Sequence, residues 1–316
     1  MMARPEPEIG ARNVTQNRIT GGIWPAVLTA VDEAGTPDLD AMDRLVELFV
    51  EQEMGGLYLL GSTGQGPSLS METRKAVCER VCRTNDGRLP VLAHIGATST
   101  YDAMELARHA ESCGADAISA VPPIYYPVDA TLTFRHYDLI GGATKLPFIP
   151  YHTGFNNIAR PPAREYAELM RNLPNFAGIK LTDSNFTFFA LMRLYLGDEY
   201  VLFSGFDEIT AHAVMSGSNG AIGSWMNLIG PEVRKMDAAL RGGDVACAMR
   251  FTRVMCEIVG EIVDVRSNFF PFLHQGMKYR YGIDVGPGRG AMHISTVVYT
   301  DDEVRPILDR IVEAVA

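Results

Sequence analysis

Lysine is scarce in this chain: 316 residues hold only five, at positions 75, 145, 180, 235 and 278. Acidic side chains outnumber basic ones 38 to 28, for a net charge of −10 and a pI near 5.2. That balance argues against nucleic acid or an anionic membrane surface as a partner. No apolar run reaches membrane-spanning length. The polar, proline-bearing start lacks the apolar core of a secretory signal and reads as a loose arm over residues 1–17. Cysteine is also sparse, at 78, 82, 113, 247 and 256. An odd count with no secretory segment points to reduced thiols in a cytosol. Cys78 and Cys82 lie four apart within a helical pattern, a spacing that would suit a metal. No second ligand cluster follows them in the sequence, so two half-buried helix cysteines are the expectation. The glycosylation patterns at Asn13 and Asn185 read as chance matches without a secretory signal.

What is present is a regular alternation. Short apolar, β-rich runs occur at 22–29, 56–61, 90–95, 117–121, 147–151, 176–180, 201–205 and 220–224. Helical patterns fill the gaps at 39–52, 71–84, 100–113, 130–140, 163–173, 186–196 and 208–215. Continuous apolar strands are what a parallel sheet covered by helices requires. Eight of them with alternating helices predict an α/β chain with a (β/α)8 barrel over residues 18–235. An open doubly wound sheet is the runner-up, but the first strand is followed by no glycine-rich phosphate loop. Residues 236–316 keep a helical pattern, broken by a loop at 282–290 and closed by a helix at 301–315, and form a C-terminal helical region.

In such a barrel the chemistry collects at the C-terminal ends of the strands. Strand two ends in Gly61-Ser62-Thr63-Gly64-Gln65-Gly66, whose glycines let successive N–H groups face one point and form a nest for a small carboxylate. An ordinary tight turn would carry the same pattern. Strand four runs into Pro122-Pro123-Ile124-Tyr125-Tyr126-Pro127, with tyrosine hydroxyls at the rim or packed in the wall. Strand five ends in Tyr151-His152, and strand six in Lys180, with Thr182 just beyond. Burial at the end of an apolar strand disfavours the ammonium and leaves a free amine, the nucleophile for a Schiff base with a ketone. A lysine that snorkels or pairs at a strand end would share the local pattern. A phenol nearby can move protons if a hydroxyl relay offsets its ordinary pKa of about 10. His152 is an alternative acid/base, with a wall position the simpler reading. No metal triad, nucleophile elbow or P-loop appears, so no metal or other cofactor is called for.

Together these segments resemble the dihydrodipicolinate synthase/N-acetylneuraminate lyase family of class I pyruvate-dependent aldolases, over about residues 18–300. The residues carrying the resemblance are Gly61-Ser62-Thr63-Gly64, Pro123-Ile124-Tyr125-Tyr126, Pro150-Tyr151, Gly178-Ile179-Lys180, Gly205-Phe206-Asp207-Glu208 and Gly223-Ser224. The resemblance implies a Schiff base on Lys180 with no separate cofactor, and proton shuttling by Tyr151. It implies carboxylate binding by Ser62 and Thr63, a relay through Ser62, and substrate contacts at Gly61, Thr182, Gly205, Asp207, Glu208 and Ser224. Tyr125 looks like the family's relay tyrosine, which reaches into a neighbouring subunit of a homotetramer built from tight dimers. Pyruvate is the implied 2-oxo acid partner.

Ser62, the Asp207-Glu208 pair and Ser224 look more like the lyase branch, whose substrates are polyhydroxylated. Tyr151 is followed by His152-Thr153-Gly154-Phe155-Asn156 rather than the synthase branch's asparagine and Pro-Gly-Arg segment, although Arg160 lies nearby. Gln65 stands where a glutamate is usual. The expectation is therefore an N-acetylneuraminate lyase-like or 2-keto-3-deoxy sugar acid aldolase. Dihydrodipicolinate synthesis from pyruvate and aspartate semialdehyde, or a related 2-oxo acid dehydration, is the alternative. Readings from other classes are a silent sugar-acid-binding barrel and a phosphate-binding isomerase.

Overall fold

Tyr151 on one strand stands directly beside Lys180 on the next, and the barrel that creates this register is formed from short buried strands. The computed structural model describes residues 18–126, 128–153, 161–264, 269–289 and 297–316. The arm at 1–17, Pro127, the segment 154–156 and Arg160 lie outside them. The strands are β1 (Gly22–Pro25), β2 (Leu57–Leu59), β3 (Val91–His94), β4 (Ala117–Ala120), β5 (Phe148–Thr153), β6 (Gly178–Thr182), β7 (Val201–Ser204) and β8 (Gly220–Gly223). All paired neighbours run parallel in the order β1-β8-β7-β6-β5-β4-β3-β2. A bridge from Ala26 to Tyr58, with the Val27 N–H donating to the Tyr58 carbonyl at 2.9 Å, closes the remaining seam between β1 and β2.

The intervening helices are α1 (Leu39–Glu51), α2 (Met71–Asn85), α3 (Thr100–Ser112), α4 (Ala130–Gly141), α5 (Ala163–Arg171), α6 (Phe186–Leu196) and α7 (Thr210–Met215). Then come α8 (Met226–Arg241), α9 (Val245–Val259), α10 (Phe270–Tyr281) and α11 (Asp301–Ala314). Their starts are chemically marked. Asp38, Ser70, Ser99, Asp129, Asn185 and Asp244 each accept a backbone N–H of the first turn. Thr300 and Glu303 form a reciprocal capping box. Among the described residues, no helix is long and apolar enough to cross a membrane.

Alternation along each strand divides the apolar side chains into two layers. Trp24, Tyr58, Leu92, Ile149, Phe203 and Ile222 fill the barrel, while Leu57, Leu59, Ile118, Ile179, Leu181 and Leu202 face the helices. Trp24 is the largest residue inside. Its ring meets Phe203 edge-on at 5.5 Å, and its indole N–H donates to the Gly21 carbonyl at 2.7 Å. The indole also explains Gly56, where a Cβ would sit 2.3 Å from the ring. This packed floor fills the barrel below Lys180. Trp24→Ala is expected to cost about 3–5 kcal/mol of unfolding free energy in urea titrations; a loss below 1 kcal/mol would show that the floor tolerates a void.

Candidate active site

Lys180 is 4% exposed, and its ammonium nitrogen lies between two aromatic faces: 4.4 Å from the ring centre of Tyr58 and 4.2 Å from that of Tyr151. The two rings meet edge-on at 6.5 Å. Such a slot offers a cation some quadrupole attraction but little solvation. Burial brings the Lys180 pKa from 10.5 to about 7, with the nearby Asp207 carboxylate opposing the shift. A large fraction of the amine is therefore unprotonated and nucleophilic at neutral pH.

The Tyr151 hydroxyl accepts a hydrogen bond from Thr182 Oγ1 at 3.0 Å. Its own pKa is raised, chiefly by burial and against the Thr182 bond, so the phenol stays protonated at rest. Gly205 is required here, because a Cβ would lie 1.8 Å from Thr182 Oγ1 and 3.1 Å from Lys180 Cε.

A second group comes from the ends of β2, β7 and β8. Thr63 Oγ1 and Ser224 Oγ share a hydrogen bond of 2.6 Å, and the Ser224 N–H donates to Asp207 Oδ2 at 3.0 Å. Asp207 is buried, and its other oxygen, Oδ1, has no hydrogen-bond partner among the described residues. Burial first, then the neighbouring Glu208 charge, push the Asp207 pKa up to about 7 against the pull of the Ser224 N–H and Lys180. Gly223 makes room for this carboxylate, since a Cβ there would fall 1.9 Å from Oδ1.

The loop at 61–66 curls as its glycines predict. A Cβ on Gly61 would strike the Tyr58 ring at 2.4 Å, one on Gly64 the Val27 carbonyl at 2.6 Å, and one on Gly66 the Leu60 carbonyl at 1.8 Å. Leu60 and Gln65 both adopt positive φ. His94 holds the loop's start: its Nδ1 donates to the Leu60 carbonyl at 3.1 Å, leaving Nε2 to accept from the Val121 N–H at 3.3 Å. Burial first, helped by Arg74 and Lys180, brings the His94 pKa to about 3, so the ring is neutral.

The sequence-predicted residues therefore divide. Lys180, Tyr151, Thr182, Gly205, Thr63, Asp207 and Ser224 converge at one mouth. Ser62 and Gly61 lie in the same loop, but the Ser62 side chain is exposed. Glu208 is half-buried beside Cys256 of α9, and only Asp207 of that pair acts on Lys180. Tyr125 is 75% exposed on the rim, stacked edge-on with Tyr126 at 5.0 Å. His152 faces outward, bonded to the Tyr166 hydroxyl of α5 at 3.2 Å and 3.6 Å from Asp183, which agrees with a wall position. Sequence reasoning missed Tyr58, His94 and Ser119; the Tyr58 hydroxyl meets Ser119 Oγ at 3.3 Å beneath the amine. Strand parity was the available signal, since these three point inward like Lys180.

The family profile described as "Dihydrodipicolinate synthetase family" matches residues 19–293. The chain belongs to that family. Its members are class I aldolases, and this dihydrodipicolinate synthetase family chain is accordingly a lyase. An N-acetylneuraminate lyase of Salmonella paratyphi B is 34% identical over 260 residues, covering 82% of this chain and 86% of the relative. A 4-hydroxy-tetrahydrodipicolinate synthase 2 of Halalkalibacterium halodurans is 30% identical over 239 residues, covering 76% and 82%. The solved structure of the Ruminococcus gnavus sialic acid aldolase superposes with a TM-score of 0.86 at 26% identity, over 94% of this chain and 98% of that one.

The buried lysine is a cost that the fold carries. Because the folded pKa lies below the unfolded one, the folded state binds fewer protons between about 7 and 10.5. The penalty is complete below about 7 and absent above about 10.5. Lys180→Met should therefore stabilise the protein at pH 7, by on the order of a few kcal/mol, with the gain shrinking as pH rises toward 10.5. Urea midpoints of both proteins at pH 7 and pH 10 would check this. A variant less stable than the parent at pH 7 would contradict it.

Proposed function

We propose that this aldolase uses Lys180 to form a Schiff base with a 2-oxo acid, and that it reversibly cleaves a hydroxylated sugar acid into pyruvate and an aldehyde. The observation that carries this reading is the buried amine, its pKa lowered to about 7, set beside Tyr151 in strand register. The amine attacks the C2 carbonyl, and loss of water from the carbinolamine gives an iminium. The C3–C4 bond then breaks. Its electron pair moves into the iminium to form an enamine, while the C4 hydroxyl gives up its proton and becomes the aldehyde. Tyr151 is the group placed to take that proton, provided its own proton has first moved along a hydroxyl relay. Thr182 donates to the phenol oxygen and so stabilises the phenolate that this exchange requires. Protonation at C3 and hydrolysis release pyruvate and restore the amine.

The relay and the binding contacts follow the resemblance. Ser62 and Thr63 in the glycine-rich loop would hold the substrate carboxylate, with the loop amides beside them. Tyr125, exposed with Ile124 and Tyr126 on the rim, would serve a neighbouring subunit of a homotetramer. The preference for a polyhydroxylated substrate rests on Asp207. Its buried Oδ1, without a hydrogen-bond partner among the described residues, suits a sugar hydroxyl, which is a donor, and Ser224 beside it can both donate and accept. The N-acetylneuraminate lyase relative points the same way. The synthase relative supports a second reading, condensation of pyruvate with aspartate semialdehyde.

Borohydride reduction in the presence of pyruvate, followed by peptide mass mapping, should place a single reduced pyruvate adduct on Lys180. No adduct there would overturn the Schiff-base reading. Assay of pyruvate with a panel of aldehydes should then show turnover with hydroxylated sugar-derived aldehydes. Turnover confined to aspartate semialdehyde would favour the second reading.

A further inference from the structure

Three of the five cysteines meet outside the barrel wall, remote from Lys180 in the layer between helices. Cys78 and Cys82 are one turn apart on α2, and His109 and Cys113 are one turn apart at the C-terminal end of α3. Residues four apart share a helix face, so two neighbouring helices each present a pair of soft ligands. Packing of α2 on α3 brings the pairs together. One ligand atom each from Cys78, His109 and Cys113 lies within 4.8 Å of the others. The Cys113 sulfur is 3.4 Å from His109 Nδ1 and 3.5 Å from Nε2. The Cys78 thiol, buried under the helix pair, engages both Cys113 and Cys82.

The Cys113–His109 separation is close to that of a filled site. A turn of the imidazole would aim one nitrogen at an ion, and the trio, within 4.8 Å, would close by about 1 Å around it. Zinc–sulfur bonds of about 2.3 Å and zinc–nitrogen bonds of about 2.0–2.1 Å in a tetrahedron place neighbouring ligand atoms about 3.5–3.8 Å apart. Thiolate with imidazole selects a soft or borderline divalent ion over magnesium or calcium, which prefer oxygen. We propose that Cys78, His109 and Cys113 form a zinc-class structural metal site that clamps α2 to α3, with Cys82, which engages Cys78 from outside the cluster, turning in as the fourth ligand. Binding displaces the thiol protons to solvent and leaves the sulfurs as thiolates, with no change in oxidation state. The clamp would brace α2, the helix that follows the Gly61–Gly66 loop and carries Arg74, whose guanidinium donates to the His94 carbonyl at 3.0 Å. It is independent of the Schiff-base chemistry.

The test uses the full chain, stripped with a chelator, fully reduced, and titrated with Co2+ as a spectroscopic stand-in for Zn2+. One equivalent should bind with the near-ultraviolet sulfur-to-cobalt charge-transfer band and the intense visible bands of a tetrahedral thiolate site, and Zn2+ should displace it. Cys113→Ser and His109→Ala should each weaken binding by at least about 100-fold. Cys256→Ser, at an exposed thiol on α9, should change nothing. Retained borohydride trapping of pyruvate on Lys180 in each variant shows that the barrel is folded. Absence of the thiolate bands in reduced parent protein overturns the proposal. So does their persistence in a Cys78→Ser/Cys113→Ser double variant, or their loss on Cys256→Ser.

Discussion

The exclusion of water from one amine is the constraint on which the rest of the site depends. Lys180 belongs to the inward-facing set of β6, and the barrel places aromatic rings where a solvated ammonium would need water. An isolated amine in that slot would merely be costly. It becomes useful because a phenol lies beside it in register, and a carboxylate sits close enough to moderate the shift but is itself held near neutrality by burial. Had Asp207 been fully solvated and charged against Lys180, the ammonium would have been favoured and the nucleophile lost.

The glycines are the steric counterpart of that electrostatic arrangement. Gly205 lets β7 end against Thr182 and the lysine stem, Gly223 leaves room for the Asp207 carboxylate, and Gly61 allows the loop at 61–66 to lie on the Tyr58 ring. The neutral His94 ring joins the start of that loop to the end of β4 through two directed hydrogen bonds. These contacts order backbone and side chains before any ligand arrives, so that binding energy is not consumed in assembling the site.

Much of this was legible in the sequence, for identifiable reasons. A barrel strand buried on both faces is a continuous apolar run, and a lysine within one stands out, above all when the chain has only five. The glycine-rich loop was legible as strand-end chemistry, and the Asp207-Glu208 segment through the family resemblance. Tyr58 was not, because a tyrosine in an apolar strand looks like core, and it is core; only the neighbouring amine gives it a second role. Asp207 acts on Lys180 whereas the adjacent Glu208 lies beside Cys256 of α9, a difference made by the turn after β7. The exposed Ser62 and rim Tyr125 owe their proposed roles to resemblance. The cysteine cluster was hidden for another reason: its two ligand pairs are some thirty residues apart, and only helix packing unites them.

The scarcity of lysine also makes the central claim directly measurable. With five lysines in all, 15N-lysine labelling gives a spectrum in which each side chain can be followed through a pH titration. The account predicts one resonance titrating near pH 7 that is absent from Lys180→Met. A spectrum with no lysine resonance titrating near pH 7, or one that persists in Lys180→Met, would contradict it.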